Sequence, residues 1–152
     1  MPFGPMLWEE KSSAVGRRIT DVCEKGIHEE VSFRGQIKGY GRLQGVEGRI
    51  VGTDDYWETV TGESIIEGTA CGVLTLGEGR LVGFRAMGLG KFVHHSPLGF
   101  EDLVLLISFP DPPPSLSWMK TTIVIWEARV DPRTQSIEAV AYEWEGPSAA
   151  GN

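Results

Sequence analysis

The sequence of 152 residues has few cysteines, few basic residues and no long apolar run. Cys23 and Cys71 are its two cysteines, so no disulfide framework is indicated and both are expected to be free thiols. The 14 Lys and Arg residues are scattered and outnumbered by 21 Asp and Glu residues, which gives a formal net charge of -7. Because nucleic acids and anionic membranes bind through clustered cations, we expect neither as a partner.

Segments that direct a chain into or across a membrane are also missing. The longest apolar burst, 103 to 107, has the length of a strand and falls far short of the roughly 18 residues that a membrane helix needs. The first ten residues lack the basic start and apolar middle of a secretion signal. We therefore expect a cytoplasmic protein with one domain over 1 to 146 and a flexible tail over 147 to 152.

No stretch matches a catalytic or cofactor fingerprint. Gly-x-Ser-x-Gly does not occur, and the glycine pairs do not lead into a helix that could hold a phosphate. His94 and His95 are adjacent, so their side chains point apart and do not easily serve one metal ion. Asp54 and Asp55 could support acid–base chemistry, but such a pair is more typical of a turn. We expect no metal and no cofactor, and the sequence identifies no catalytic residue.

Glycine and alternating apolar residues are what the sequence has in abundance. Its 20 glycines are spread along the chain and separate segments with period-two alternation, which is typical of strands and turns. In the clearest case, Ile27, Val31, Phe33 and Ile37 share one face, and the residues between them that share the other face are polar. The pattern predicts about eight strands, at 15–23, 27–37, 46–60, 66–76, 80–90, 101–109, 120–130 and 136–144.

Short connections between these segments predict antiparallel neighbours. Residues 77–79 and 131–135 each join two strands through a short turn. Two connections are longer, 91–99 and 110–117, and Pro112–Pro114 stiffen the second into an extended rim or lid. About eight antiparallel strands either close on themselves or split into two stacked sheets. Since open edges invite aggregation, we expect an all-β, closed antiparallel barrel with little helix.

The residues expected to face the inside of this barrel are small. One strand places Ile66, Gly68, Ala70, Gly72 and Leu74 on a single face, and the next places Val82, Phe84, Ala86, Gly88 and Gly90 there. A three-residue turn would set Gly72 opposite Phe84. The glycines are explained by tight coiling of the strands, with an aromatic ring covering the bare backbone, or by an internal cavity. Both explanations can hold together.

The last hairpin carries the densest polar and aromatic pattern. With a regular register, Val124, Trp126, Val130, Val140, Tyr142 and Trp144 share a face that we expect to be core. Glu127, Arg129 and Glu143 share the opposite face. That face is either an exposed, salt-bridged surface or the lining of a polar cavity in which Arg129 neutralises a carboxylate, with Arg85 as the reserve cation.

These segments carry a resemblance to a known group of folds. Residues 67–79, 83–90, 126–131 and 143–144 resemble the glycine-spaced strands of calycin-like barrels. They are similar to allene oxide cyclase-type barrels and to uncharacterised bacterial and archaeal small barrel proteins. The resemblance implies an antiparallel barrel with one mouth, in families that mostly bind or isomerise small apolar molecules. It assigns no catalytic residue.

Three functions follow as hypotheses. The first is binding of a small, largely apolar molecule in the barrel, the second is an isomerase or cyclase that uses the same cavity, and the third is an interaction protein without a ligand. We expect the mouth near His94 and His95 or near Pro112–Pro114. A homodimer is expected because Phe3, Leu7, Trp8 and Trp118 lie outside the predicted strands and need burial. The predicted ligand-binding residues are Gly68, Ala70, Phe84, Arg85, Ala86, Glu127, Arg129 and Glu143.

Overall fold

Eight antiparallel strands form the framework of the protein, and each pairs with the next along the chain. The structure, a computed structural model, describes residues 4–59, 65–93 and 99–148. The strands close into a barrel because β1 pairs with β8 as well as with β2, which confirms the all-β closed barrel expected from the sequence. The strands are β1 (Met6–Cys23), β2 (Gly26–Gly39), β3 (Glu47–Glu58), β4 (Ile66–Leu76), β5 (Arg80–Val93), β6 (Phe100–Ser108), β7 (Val124–Asp131) and β8 (Ser136–Glu143).

The two ends of the barrel differ in how they are covered. Odd-numbered strands run toward one end, which we call the mouth, and even-numbered strands run back to the other, the closed end. A 3₁₀ turn (Gly41–Leu43) and a 3₁₀ segment (Pro114–Thr121) lie at the closed end. Leu43, Leu116 and Met119 from these pieces are buried in the same core as Leu7 and Phe109. The closed end is therefore filled with side chains.

The middle of the barrel is packed around two pairs of glycine and phenylalanine. Gly72 on β4 lies opposite Phe84 on β5, as the short turn predicts. A Cβ added to Gly72 would approach Phe84 Cζ to 2.8 Å, and one added to Gly52 would approach Phe33 Cζ to 2.8 Å. Each ring therefore covers bare backbone, which is the coiling explanation for the glycines.

Two segments differ from the expectation. β1 begins at Met6 and not at 15, because a bulge between Met6 and Trp8 lets Leu7 and Trp8 both be buried and hides the alternation. The 110–117 connection was expected to be an extended rim or lid. Instead, Pro114 begins the 3₁₀ segment that fills the closed end, and β7 begins only at Val124.

The register of the last hairpin also corrects the expectation. Trp126 lies opposite Ala141 and Val124 lies opposite Glu143, so even-numbered residues of β7 share a face with odd-numbered residues of β8. Trp126 is core as expected, whereas Tyr142 points away from it. The four-residue connection between Asp131 and Ser136 sets this offset. No helix within the described residues is long and apolar enough to cross a membrane.

Candidate functional site

A cavity of about 60 Å³ opens at the mouth of the barrel. A buried water needs about 10–15 Å³ of such volume, so the space holds roughly four to six waters or a ligand group of similar size. Arg17, Asp54, Tyr56 and Glu101 supply its polar groups. Its apolar walls include Val31, Ile66, Leu103, Leu105, Val130 and Ile137.

Glycine shapes this cavity by letting neighbouring groups come close. Gly68 and Gly88 lie directly opposite each other on β4 and β5 and both line the cavity. A Cβ on Gly68 would lie 2.7 Å from Tyr56 Cβ, so the bare backbone makes room for the tyrosine. The two explanations of the small inward residues, tight coiling and a cavity, therefore hold together at this level of the barrel.

Arg17 organises the polar groups at the mouth. Its Nη1 donates to Glu29 Oε2 at 3.2 Å and to Tyr56 Oη at 2.9 Å, and its Nε donates to Gln135 Oε1 at 2.9 Å. Tyr56 Oη donates to Glu29 Oε2 at 2.6 Å. Burial, together with this hydrogen bond to Glu29, raises the pKa of Tyr56, so the phenol stays protonated. These contacts tie together β1, β2, β3 and the β7–β8 turn.

Asp54 and Glu101 are the carboxyl groups that line the cavity itself. Burial raises the pKa of Asp54 to about 7, with a further increase from the charge of Glu10. Burial likewise raises the pKa of Glu101 to about 7, helped by the charge of Glu58. Arg17 lowers both values, and it is the one basic residue, among those described, that acts on either group. Both carboxyls therefore exchange protons near neutral pH.

Glu10 lies deeper and is enclosed by three donors. Trp8 Nε1 and Trp126 Nε1 donate to its Oε1 at 3.2 and 3.0 Å, and Ser12 Oγ donates to Oε2 at 2.8 Å. Burial raises the pKa of Glu10, and the three hydrogen bonds oppose that increase. Glu10 is 2% exposed, and the three hydrogen bonds hold its carboxylate on the closed-end side of the cavity.

Five of the eight predicted site residues lie on β4 and β5. Gly68 lines the cavity. Ala70 and Ala86 lie opposite each other and face inward in the packed core, with Phe84 one step deeper against Gly72. Arg85 lies on the outer face, opposite Cys71, and both are exposed. Whether any of these residues binds a ligand stays a prediction.

The other three do not form the interior charge group that the sequence suggested. Glu127 and Arg129 point outward, because the inward residues of β7 are Val124, Trp126, Ala128 and Val130. Arg129 Nε donates to Asp102 Oδ1 at 3.0 Å on that outer surface. Glu143 lies at the closed end, where it pairs with Arg42. Glu127 and Arg129 therefore lie on an exposed surface, which was one of the two arrangements expected for them. Among the described residues, Arg129 forms an ion pair there and Glu127 forms none.

The polar residues inside the barrel were missed by the sequence interpretation. Asp54 is not in a turn but in the middle of β3, where Ile50, Gly52, Asp54 and Tyr56 alternate on the inward face. Glu29 is buried between Ile27 and Val31 on the inward face of β2. The signal was present as alternation, but Asp54 was interpreted as part of a turn and Glu29 was given no role.

The histidine that the structure describes, His28, lies away from the cavity. His28 lies on the outer side of β2, where its ring stacks on Trp57 with a centroid distance of 4.6 Å and hydrogen-bonds Thr20 and Asp55. His94 and His95, one of the two places expected for the mouth, lie outside the described residues. Among the residues described, no group of three or more His, Cys, Asp or Glu is arranged to hold a metal ion.

The strands define a closed, eight-stranded antiparallel barrel whose cavity opens at the mouth, and solved structures have a similar fold. No family model and no curated protein matches the chain. A β-barrel-like protein from Acinetobacter baumannii superposes with a TM-score of 0.75 at 14% identity, covering 91% of this chain and 93% of that one.

Two further structures, both of proteins of unknown function, match in the same way. The protein from Clostridium acetobutylicum gives a TM-score of 0.74 at 13% identity over 91% of this chain and 93% of its own. A conserved protein from Rhodopseudomonas palustris gives 0.69 at 12% identity over 91% and 95%. At these identities the likeness supports the barrel fold alone.

Proposed function

We propose that the barrel binds a small, largely apolar molecule, or the end of a larger one, in the cavity at its mouth. The observation that carries the proposal is the cavity itself, an opening with apolar walls and a few convergent polar groups. The filled closed end leaves the mouth as the route of entry. The volume of about 60 Å³ limits the enclosed part of the ligand to a handful of heavy atoms.

A thermal-shift screen with small apolar compounds tests this function, since a ligand that binds only the folded chain raises its melting temperature. The matched variant is Leu105→Phe, because Leu105 lines the cavity and a larger side chain there fills it. We expect compounds that stabilise the wild-type chain to lose their effect on this variant. Leu81→Phe, at an outward position on β5 that is 63% exposed, should leave every shift unchanged. No stabilising compound, or equal shifts in all three chains, contradicts the proposal.

An enzyme that uses the same cavity is the second candidate. Asp54 and Glu101 have pKa values of about 7 and line the cavity, and carboxyls poised near the working pH are suited to general acid–base catalysis. An isomerase or cyclase needs such a proton donor or acceptor beside an enclosed substrate. A ligand from the screen that is converted by the wild-type chain and bound but unchanged by Asp54→Asn supports this candidate.

We also propose that the chain is related to calycin-like or allene oxide cyclase-type barrels. The closed up-and-down order of eight strands supports it, because small barrels of that architecture enclose ligands. The proposal takes no catalytic residue from those families.

A further inference from the structure

We propose that the cavity takes a neutral carbonyl compound, with Arg17 Nη2 donating to its oxygen and Asp54 exchanging a proton with the carbon next to the carbonyl. The inference rests on the proposed function, because it assigns a class of ligand and a reaction to the same cavity. It deepens the enzyme candidate by naming the atom that is held and the bond that breaks.

The cavity has a polar side and an apolar side. Arg17 on β1 and Asp54 and Tyr56 on β3 supply polar groups to one side. The lining residues that come from β5, β7 and β8 are apolar or glycine, namely Gly88, Leu89, Gly90, Val130 and Ile137. A ligand that fits both sides has an apolar body and a polar group at one edge.

Arg17 and Asp54 belong to one row of residues across three strands. Arg17 lies opposite Val31 on β2, and Val31 lies opposite Asp54 on β3. Adjacent strands are about 4.8 Å apart, so the Cα atoms of Arg17 and Asp54 are separated by roughly 10 Å. The guanidinium reaches β3 itself, since Nη1 donates to Oη of Tyr56, two residues from Asp54. The strand register therefore brings a hydrogen-bond donor and a carboxyl to the same side of the cavity.

Arg17 keeps one nitrogen for a ligand. Its Nε donates to Gln135, and its Nη1 donates to Glu29 and Tyr56. Its Nη2 forms no hydrogen bond with any residue that the structure describes. Because a guanidinium has donors and no acceptor, Nη2 requires an oxygen that accepts. The three existing contacts hold the guanidinium in position before a ligand arrives, which is what a preorganised donor needs.

The charges around Arg17 favour a neutral acceptor over an anion. Glu29 pairs with the guanidinium, and the charge of Glu10 acts on Asp54. A carboxylate ligand would add a further negative charge beside these groups at a site of low dielectric. The oxygen of a ketone or aldehyde accepts a hydrogen bond from Nη2 without adding charge.

Asp54 is placed to act as the base. Among the residues described, no hydrogen bond engages its carboxyl group. Burial raises its pKa to about 7, so it is ionised at pH 8 and is a stronger base than an exposed aspartate. A donor that stabilises negative charge on a carbonyl oxygen makes the protons of the neighbouring carbon more acidic. The base and the donor that this reaction needs therefore lie in one row.

The step is a reversible proton transfer. The Asp54 carboxylate takes a proton from the carbon next to the carbonyl, and the electron pair of that C–H bond forms a C=C bond. The π electron pair of the carbonyl moves onto oxygen, where Arg17 Nη2 stabilises the negative charge. Return of a proton from Asp54 to the same carbon restores the ketone. Return of the proton to a different carbon of an unsaturated ketone would be an isomerisation.

Cyclopentanone in D2O at pH 8 tests binding and reaction in one sample by proton NMR. Saturation transfer from the protein measures binding, and loss of the α-proton signal relative to the β-proton signal measures exchange with solvent. We expect the wild-type chain to bind cyclopentanone and to speed the exchange at least about tenfold over buffer alone. Cyclopentanecarboxylate should bind more weakly, and tighter binding of this anion than of the ketone overturns the inference.

Variants assign the two roles. Arg17→Met should weaken binding and return the exchange to the buffer rate, whereas Asp54→Asn should bind cyclopentanone and lose the exchange. The controls are Arg18→Met, which removes a cation from the outer surface, and Glu67→Gln, which removes a carboxylate from the outer face of β4. Both controls should keep the wild-type rate. If Arg17→Met does not fold, Asp54→Asn carries the test, because it breaks no hydrogen bond among the described residues.

The outcomes separate this inference from the proposed function. Binding of cyclopentanone without exchange above the buffer rate overturns the inference and leaves the proposed function in place. Exchange that is equal in the wild-type chain and in Asp54→Asn does the same. Failure of cyclopentanone to bind, while compounds from the thermal-shift screen do bind, also overturns the inference alone. Failure of cyclopentanone together with an empty screen overturns both.

Discussion

Arg17 on β1 and Gln135 in the β7–β8 turn are joined through their side chains, with Arg17 Nε donating to Gln135 Oε1 at 2.9 Å. Gln135 adopts a positive φ of 64°, in the left-handed region that long side chains seldom occupy. Its carbonyl oxygen accepts from Ala14 N at 3.0 Å, at the point where β1 extends beyond β8. The turn residue therefore fixes both the end of the β1–β8 pairing and the position of the guanidinium in the mouth.

The first prediction concerns the positive charge that this turn holds in place. Arg17→Met should destabilise the chain by about 1–2 kcal/mol at pH 8, because Glu29 loses its cation and Tyr56 Oη loses a donor. The expected loss of stability is small because the arginine side chain is 37% exposed, so solvent weakens its ion pair. The loss should be smaller at pH 5, where Asp54 and Glu101, with pKa values of about 7, are protonated.

Urea unfolding at the two pH values measures this effect. Arg18→Met is the matched control, since Arg18 pairs with Glu30 on the outer surface and is 71% exposed. It should change stability by only a few tenths of a kcal/mol. An equal loss for the two variants, or a larger loss at pH 5, contradicts the role given to Arg17.

The second prediction compares two replacements of Glu10. Glutamine can satisfy the same partners, with its oxygen accepting from Trp8 and Trp126 and its amide donating to Ser12, so Glu10→Gln should be neutral or stabilising at pH 8. Glu10→Leu leaves the three donors without an acceptor and should cost about 3 kcal/mol or more. Urea unfolding followed by tryptophan fluorescence measures both. Similar stability for the two variants shows that the hydrogen bonds to Glu10 do not matter.

The sequence predicted the strands of the barrel better than the polar residues inside it. Alternation identified the inward faces of β4 and β5 correctly, because small and apolar residues repeat there without interruption. It missed Glu10 because the bulge between Met6 and Trp8 hides the alternation at the start of β1, and it missed Asp54 because two adjacent aspartates are typical of a turn. Those two are buried because the folded chain brings donors or other charges to them from distant strands, as Trp126 reaches Glu10 over 116 positions.

The last hairpin shows a second kind of limit. Which residues of β8 face inward depends on the register set by the turn at 132–135, and alternation alone does not specify that register. The register places Tyr142, which was expected in the core, on the side away from Trp126. Trp126 lies in the core as expected, and Glu127 and Arg129 take the exposed orientation, one of the two left open by the sequence. Long-range pairing, which the sequence pattern does not encode, decided the outcome.

The third prediction tests the fit of aromatic rings over glycine. Gly72→Ala should destabilise the chain by about 2 kcal/mol or more, because the new methyl group would lie 2.2 Å from Val51 O and 2.8 Å from Phe84 Cζ. Gly83→Ala is the control, since its Cβ would meet nothing closer than Gly72 O at 3.9 Å. It should be neutral or stabilising by a few tenths of a kcal/mol. Thermal and urea unfolding measure both, and equal effects contradict the close approach at Gly72.

The fourth prediction is a homodimer, on different grounds from those in the sequence. Leu7 and Trp8 are buried in the barrel itself, and Trp118 lies under the Arg42 guanidinium at 4.0 Å, so none of these three needs a partner chain. Phe3, the fourth residue on which the expectation was based, lies outside the described residues. An apolar patch remains on the outside of β5 and β6. Met87 and Leu106 are direct neighbours there, 64% and 49% exposed, with a second exposed pair, Leu89 and Val104, beside them.

We expect this patch to be covered by a second copy, because charges of alternating sign border it. Lys91, Asp102 and Arg129 lie opposite one another on adjacent strands, and a two-fold rotation can set unlike charges together. Sedimentation should show a dimer that Met87→Lys converts to a monomer. Leu81→Lys, at an exposed position on β5 outside the patch, should leave the dimer intact. A monomer at every concentration of the wild-type chain removes the prediction.

The fifth prediction uses Asp54 to give stability a particular dependence on pH. Burial raises the pKa of Asp54 from its ordinary 3.8 to about 7 in the folded chain, so between these pH values the folded state holds a proton that the unfolded state has lost. Stability therefore falls as pH rises from about 4 to 7 and then levels off, by at most roughly 4 kcal/mol from this group. Asp54→Asn removes the titration and the charge, because asparagine is neutral throughout.

The difference in stability between Asp54→Asn and wild type separates the titration of Asp54 from that of every other group. Urea unfolding at pH 4, 6 and 8 should give similar stability for Asp54→Asn and wild type at pH 4, and a growing advantage for the variant toward pH 8. Glu67→Gln, which removes an exposed carboxyl from the outer face of β4, should follow the wild-type curve at all three values. A constant difference between Asp54→Asn and wild type would mean that Asp54 is ionised in the folded chain across this range.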